Sequence, residues 1–330
     1  MKAPWFWHKR GNPMGRLLSP LGWIYRMAAI GHRTWAHRWQ ADVPIICVGN
    51  IVTGGAGKTP VSQSIGRLLT QQGKSVHFLS RGYGGRLEGP VQVRPGIHSA
   101  MDVGDEPLLL AQIGPTWVSK DRRPGAEQAT EAGADVIIMD DGFQNPWIAK
   151  DLSFVVVDGG YGFGNGKLLP AGPLREPISE GLSRANAVLV IGDPMDGLLE
   201  FIHRKAGTET PVMTAKVVPG LEKKTLEGQR VFAFAGIARP EKFYETLEDI
   251  GCEIVGKQEF PDHHPFTEDE AEGLLSQASR LMAIPVTTEK DAMRLPSELH
   301  NKMHVLTITL EWDNLEIIET LLSSVKRHGG

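Results

Sequence analysis

Gly54-Gly55-Ala56-Gly57-Lys58-Thr59 has the residue types and spacing that hold a nucleotide polyphosphate. Glycines let a tight loop turn its N–H groups inward around phosphate oxygens, and a helix starting at the loop's end adds the positive end of its dipole. Lys58 is placed to bridge the β- and γ-phosphates, and the Thr59 hydroxyl to ligate Mg²⁺. The strict pattern G-x-x-x-x-G-K-[ST] asks for glycine where this chain has Val52, so the loop is a variant running from Val52 and Thr53 to Thr59. Such a loop needs a carboxylate at the end of a neighbouring strand to orient the metal. The apolar run from Val136 to Met139 ends in two, Asp140 and Asp141. Thr59 and Asp140 are the expected magnesium ligands, both through oxygen as Mg²⁺ prefers. The chemistry these groups point to is phosphoryl transfer from ATP, which asks a protein mainly for positioning and charge neutralisation.

The elements that must position them read as strand, glycine turn, helix, repeated. A buried strand over 44–48 leads into the loop, and a helix over 58–69 follows it and stops near Gly73. A second strand over 75–79 precedes the turn Arg81-Gly82-Tyr83-Gly84-Gly85. Further strands are expected at 116–119, 136–139, 154–157 and 187–191, with helices near 105–113 and 124–132. This alternation predicts an α/β fold, a P-loop doubly wound parallel sheet. A second set begins near 230, with strands at 231–235, 252–258 and 284–287 and helices at 240–250 and 267–281. It predicts a second, smaller α/β domain. The polar stretch 220–229 marks the boundary, giving a P-loop domain over 42–220 and the smaller domain over 221–330.

The net charge of −4 conceals an asymmetry. Residues 1–41 carry Lys2, Lys9, Arg10, Arg16, Arg26, Arg33 and Arg38 and no acidic residue, which leaves 28 basic against 39 acidic groups in the remainder, or −11. The same segment holds Trp5, Trp7, Trp23, Trp35 and Trp39, five of the eight tryptophans. Ser19-Pro20 is a helix start, with Ser19 as the expected N-cap. At helical spacing Leu21, Ile24, Ala28, Trp35 and Trp39 share one stripe, with Arg26 and Arg33 well away from it. That stripe either packs on the protein's own core or meets an anionic membrane, where indoles anchor and cations meet phosphate. Interleaved Trp and Arg also suit single-stranded nucleic acid, but the acidic remainder argues against such a partner. No stretch approaches the roughly 20 apolar residues of a spanning helix, and no apolar run leads to a secretory cleavage site. Cys47 and Cys252 lie too far apart to suggest a disulfide framework, so a reduced cytosolic compartment is expected.

From Val48 to Pro60 the chain resembles the lipid A 4'-kinase (tetraacyldisaccharide 4'-kinase) family. So do Ser80-Arg81-Gly82-Tyr83-Gly84, Gly104-Asp105-Glu106-Pro107, Asp140-Asp141-Gly142-Phe143-Gln144, the run from Leu169 to Glu176, Phe260-Pro261-Asp262-His263 and Thr287-Thr288-Glu289-Lys290-Asp291, all in the family's order. The resemblance implies transfer of the ATP γ-phosphate to the 4'-hydroxyl of a tetraacylated glucosamine disaccharide 1-phosphate. It further implies a smaller domain closing over the site, and a peripheral place at the cytoplasmic face of the bacterial inner membrane through the basic N-terminal helix. On the residues alone Asp105, before Glu106-Pro107, reads as a helix cap; the resemblance makes it the base, with His263 as its partner on closure. Glu106 becomes a second magnesium candidate, Arg123 and Arg175 phosphate braces, Arg81 and Tyr83 contacts to sugar or lipid, and Gln144 a contact to a sugar hydroxyl. Lys290 is placed to reach the cleft. Where the family's block usually reads D-D-G-F-Q-H this chain has Asn145, which neither titrates nor carries charge, and no catalytic role is placed there.

Two other functions fit parts of the chain. One is a membrane-associated switch ATPase of the partition type, but Thr53 stands where that loop has a signature lysine. The other is a lipid-binding module with a dead nucleotide site, against which Lys58, Thr59 and Asp140 all count.

Overall fold

Uncharged runs of β-branched and aliphatic residues become strands where helices can cover both of their faces. In a computed structural model, which describes residues 4–9 and 11–326, such runs build the centre of the molecule. Lys2 and Arg10 of the basic opening segment lie outside the described residues. The strands in chain order are β1 (Ile45–Gly49), β2 (Val76–Ser80), β3 (Val91–Gln92), β4 (Thr116–Val118), β5 (Val136–Asp140), β6 (Leu152–Asp158), β7 (Ala187–Ile191), β8 (Val212–Pro219), β9 (Arg230–Ala235), β10 (Glu253–Glu259), β11 (Ile284–Thr288), β12 (His304–Leu306) and β13 (Ile308–Trp312).

Nine of them form one sheet in the order β13-β8-β7-β6-β1-β5-β2-β4-β3. It is parallel from β8 to β4, with antiparallel β13 and β3 at its edges. Side chains of one strand alternate between two cores. Ile45 and Cys47 of β1 join Ala126 and Ala129 of the helix Arg122–Glu131 on one face. Ile46 and Val48 join Val61 and Ile65 of the helix Lys58–Gln71 on the other. The expected doubly wound architecture is present. Strand order turns at β1, flanked by β5 and β6, and the carboxyl ends of these three strands supply the loop after β1, Asp140 and Asp158.

A smaller sheet, β10-β9-β11-β12, is parallel throughout and is covered by the helices Pro240–Asp249 and Glu268–Arg280 on its two faces. The block expected over 221–330 runs too far at its end. β13 returns to the first sheet, with Ile308 opposite Pro219, and Ile318 and Leu322 of the following helix Leu315–Ser323 enter the large core. The smaller sheet is therefore an insertion between β8 and β13. Cys47 and Cys252 are both free and buried.

The N-terminal helix runs Ser19–Thr34 and differs from expectation in three ways. Leu18, not Ser19, takes the capping position, because the short helix Pro13–Leu17 leads straight into it and the Ser19 hydroxyl donates to Gly15 O instead. The helix stops before Trp35 and Trp39, so the stripe ends near Ala28. Arg26 and Arg33 turn toward the protein, paired with Glu180 and Glu176, while Leu21, Trp23, Ile24 and Met27 stand exposed at 48%, 69%, 67% and 63%. Among the described residues no helix is long and apolar enough to cross a membrane.

Candidate active site

The loop after β1 turns sharply, with Gly54 at φ 118° and Gly57 at φ 84°, backbone conformations that side chains with a Cβ rarely adopt. Lys58 and Thr59 open the helix that follows, whose first N–H groups have no partner inside it. The phosphate cradle is shorter than the sequence suggests. Val52 is buried in the core and bridges Leu174, and the Thr53 N–H is already given to Pro173 O, so Gly54 to Thr59 remain to face phosphate.

At the end of β5 the Asp140 carboxylate accepts from the Thr59 hydroxyl at 3.2 Å and, on its other oxygen, from Ser62 at 2.8 Å. Burial and the nearby Glu106 push Asp140 up to about 7, against the pull of Lys58. This is a crowded set of acids facing a hydroxyl, the oxygen-donor setting that suits a Mg²⁺ ion. Among the described residues no three His, Cys, Asp or Glu converge as a complete metal cage, and a magnesium that takes its other ligands from phosphate and water needs none. Asp141, at φ 50°, is held below the ordinary carboxylate range: burial raises it, but Lys58 at 3.7 Å and Arg175 at 2.9 Å more than offset that.

Asp105 is 3% exposed and begins the helix Asp105–Ala111. One of its oxygens accepts from Glu106 N; the other lies 2.9 Å from His263 Nδ1 of the smaller unit. His263 sits at φ 60° with its N–H given to Gly236 O, and its ring lies 5.7 Å from that of the exposed Tyr83. Arg294 approaches Asp105 at 3.4 Å while binding Gly236 O, His264 O and Asp291. Burial pushes the Asp105 carboxyl up, yet His263, Lys290 and Arg294 together bring it down to about 2. His263 is correspondingly raised by its bond to Asp105. A second bridge joins Lys290 to Glu106 at 2.8 Å, so Glu106, a magnesium candidate by sequence, is engaged by a cation of the other unit. A third joins Arg239 and Lys242 to Asp158, and Arg239 also reaches Gly55 O of the phosphate loop at 2.9 Å.

Three of the expected site residues take partners within the chain. Arg123 points to solvent, pairing with Glu127 and lying over Trp39, because Asp121 caps its helix and sets the turn. Its neighbour Arg122 is the buried one: burial and the charge of Arg81 lower it to about 10, and Asp140 and Asp141 lie within its field. Arg175 spends its guanidinium on Asp141 and Gln144. The Gln144 amide donates to Asn50 O at 2.7 Å and Glu176 at 3.0 Å. Asn145 closes a local turn by accepting from Trp147 N. Sequence reasoning passed over Arg122, Arg239, Arg294 and Ser62. Only Ser62, one helical turn beyond Thr59, carried a periodic signal.

Comparison with known proteins adds to this geometry. A sequence model described as tetraacyldisaccharide-1-P 4'-kinase matches residues 14–326. The tetraacyldisaccharide 4'-kinase of Paramagnetospirillum magneticum is 51% identical, over 98% of this chain and 99% of its own. That of Rhodospirillum centenum is 48% identical, over 98% and 96%. Among solved structures, LpxK from Aquifex aeolicus in complex with ATP superposes with a TM-score of 0.74 at 25% identity, covering 94% of this chain and 99% of that one.

Proposed function

This chain belongs to the tetraacyldisaccharide-1-P 4'-kinase family, and from that premise we propose that its cleft transfers the γ-phosphate of ATP to the 4'-hydroxyl of a tetraacyldisaccharide 1-phosphate at a membrane surface. The family leaves no place for the switch-ATPase alternative. In this reading the backbone of Gly54 to Thr59 and the Lys58 ammonium hold the phosphates, and buried Arg122 adds positive charge. Thr59 and Asp140 would hold Mg²⁺, which supplies charge neutralisation on the phosphate oxygens when bound. Asp105 takes the proton of the attacking hydroxyl. A carboxylate this acidic is a weak base, but a loose transition state asks for little nucleophile deprotonation until late. His263 and Arg294 hold Asp105 in place, and Tyr83 and Arg81 line the entrance for sugar or lipid. The smaller unit closes the site.

The observation that carries this reading is the 2.9 Å contact between His263 and Asp105, because it brings a chemical group of one unit to the other beside the phosphate loop. The outward apolar face of the helix Ser19–Thr34 supports a peripheral place on the cytoplasmic face of the bacterial inner membrane. The strongly acidic body disfavours nucleic acid. The test is incubation of the purified chain with ATP, Mg²⁺ and tetraacyldisaccharide 1-phosphate in mixed micelles. Mass spectrometry should find a lipid heavier by one phosphate. ATP consumption with no phosphorylated lipid would defeat the proposal.

A further inference from the structure

We infer that Arg33, on the outward-facing N-terminal helix, is a positioning residue for the phosphate loop, acting through Glu176. Glu176 is 2% exposed, and a buried carboxylate must be compensated by donors. Arg33 Nη2 lies 2.8 Å and Arg184 Nη2 2.7 Å from its Oε2, and Gln144 Nε2 3.0 Å from its Oε1. The same Gln144 amide holds Asn50 O, just before the loop, and the Gln144 carbonyl accepts from Arg175 at 3.2 Å. Arg175 closes on Asp141, and Asp141 stands 3.7 Å from the Lys58 ammonium. An unbroken set of contacts thus runs from the helix that displays Trp23 and Ile24 to the lysine expected at the γ-phosphate.

Charge balance says what Arg33 does in this set. Arg175 and Arg33 line the same small cavity of about 10 Å³ beneath the helix, with Glu176 on its wall. Without Arg33, half of the positive charge on Glu176 is gone and a space opens beside it. Of the two other cations on that cavity's wall, Arg26 is paired with Glu180, which leaves Arg175, already bonded to Gln144 beside Glu176, as the one free to turn into that space. Drawn toward Glu176, it leaves Lys58 as the remaining ion-pair partner of Asp141, and the lysine is held by the carboxylate rather than offered to phosphate. The helix therefore sets how available Lys58 is.

The inference rests on the proposed role of Lys58, and its test is read without lipid. Mg²⁺·ATP binding is measured by calorimetry on the wild-type chain, Arg33→Ala, Arg33→Lys, Glu176→Gln and the Arg33→Ala/Glu176→Gln double variant. Arg33→Ala should weaken ATP binding roughly 3- to 30-fold, the span of couplings carried by packed networks. Arg33→Lys should fall between, since it keeps the charge but not the fork. Sedimentation with anionic vesicles should not change, because Arg33 faces the protein. The deciding result is the double variant: neutralising Glu176 removes what pulls Arg175 away, so the double should bind ATP more tightly than Arg33→Ala alone. If Arg33→Ala binds ATP as the wild type does, or if Glu176→Gln repairs nothing, Arg33 merely holds its helix and the inference is overturned. A wild-type chain that fails to bind ATP would instead sink the role of Lys58.

Discussion

In the proposed reaction, Lys58 and Asp105 divide the labour between charge and proton. On the proposed role of Lys58 in neutralising charge as the γ-phosphoryl group moves, Lys58→Ala should nearly abolish turnover in a chain that still unfolds at the wild-type temperature. Near-normal turnover would remove the phosphate-loop assignment. Asp105→Ala and His263→Ala should each bind ATP and lose kcat, by about 10² to 10⁴ if the base itself is lost. They touch at 2.9 Å, so the double variant should be little worse than the poorer single one. Full additivity, or a loss confined to KM, would separate their roles. Lys58, Thr59 and Asp140 could be singled out from short runs in local order, whereas Asp105 read locally as a helix cap and was singled out only by the family resemblance. Arg122 was not. Which of two adjacent arginines turns inward depends on how the Asp121 cap phases the helix, and the sequence pattern is the same for both. The partner of Gln144 was hidden for a different reason: Glu176 lies 32 residues away, and only the fold brings them together.

At the level of elements, the helix Ser19–Thr34 inverts an ordinary amphipathic arrangement, with its cations inside and its large apolar groups outside. Each of Trp23, Ile24 and Met27 is worth about 1.5–3 kcal/mol if fully removed from water. The triple variant Trp23→Ser/Ile24→Ser/Met27→Ser should therefore lose sedimentation with anionic vesicles while keeping ATP affinity. Activity should fall most on vesicle-presented substrate and least on substrate in detergent. Unchanged sedimentation would mean that this face contacts something other than lipid. Composition singled out the segment, but not its orientation. Arg26 and Arg33 lay off the apolar stripe, which by periodicity means solvent, and nothing local announces that Glu176 and Glu180 wait beneath. β13 was equally hidden. Its alternation of Ile308, Leu310 and Trp312 marks a strand with one buried face, and says nothing of which sheet it joins.

Across the whole molecule, the two units meet through His263–Asp105, Lys290–Glu106 and Arg239–Asp158. The first of these titrates. His263 is raised above its ordinary value, so its contribution is complete below the unfolded value near 6.5 and is lost as pH rises through the higher folded one. Asp105 is lowered to about 2, so it stays ionised until the medium is strongly acidic. Denaturant midpoints should accordingly decline from neutral toward alkaline pH in the wild-type chain and decline less in His263→Gln. Parallel profiles would show that the bridge adds nothing to stability. The same topology carries a consequence for construction. The chain leaves the large sheet at Pro219 and re-enters at Ile308, and these two residues are partners across a strand pair. Between them Gly220 N donates to Thr307 O, and a Cβ on Gly220 would strike the Thr307 hydroxyl. The inserted unit is thus held by two strands lying side by side, like a page on a double stitch. A page bound that way can swing but cannot easily twist, and it can be cut out. Replacing 220–307 with a two-residue turn should leave a folded sheet that binds ATP and transfers nothing.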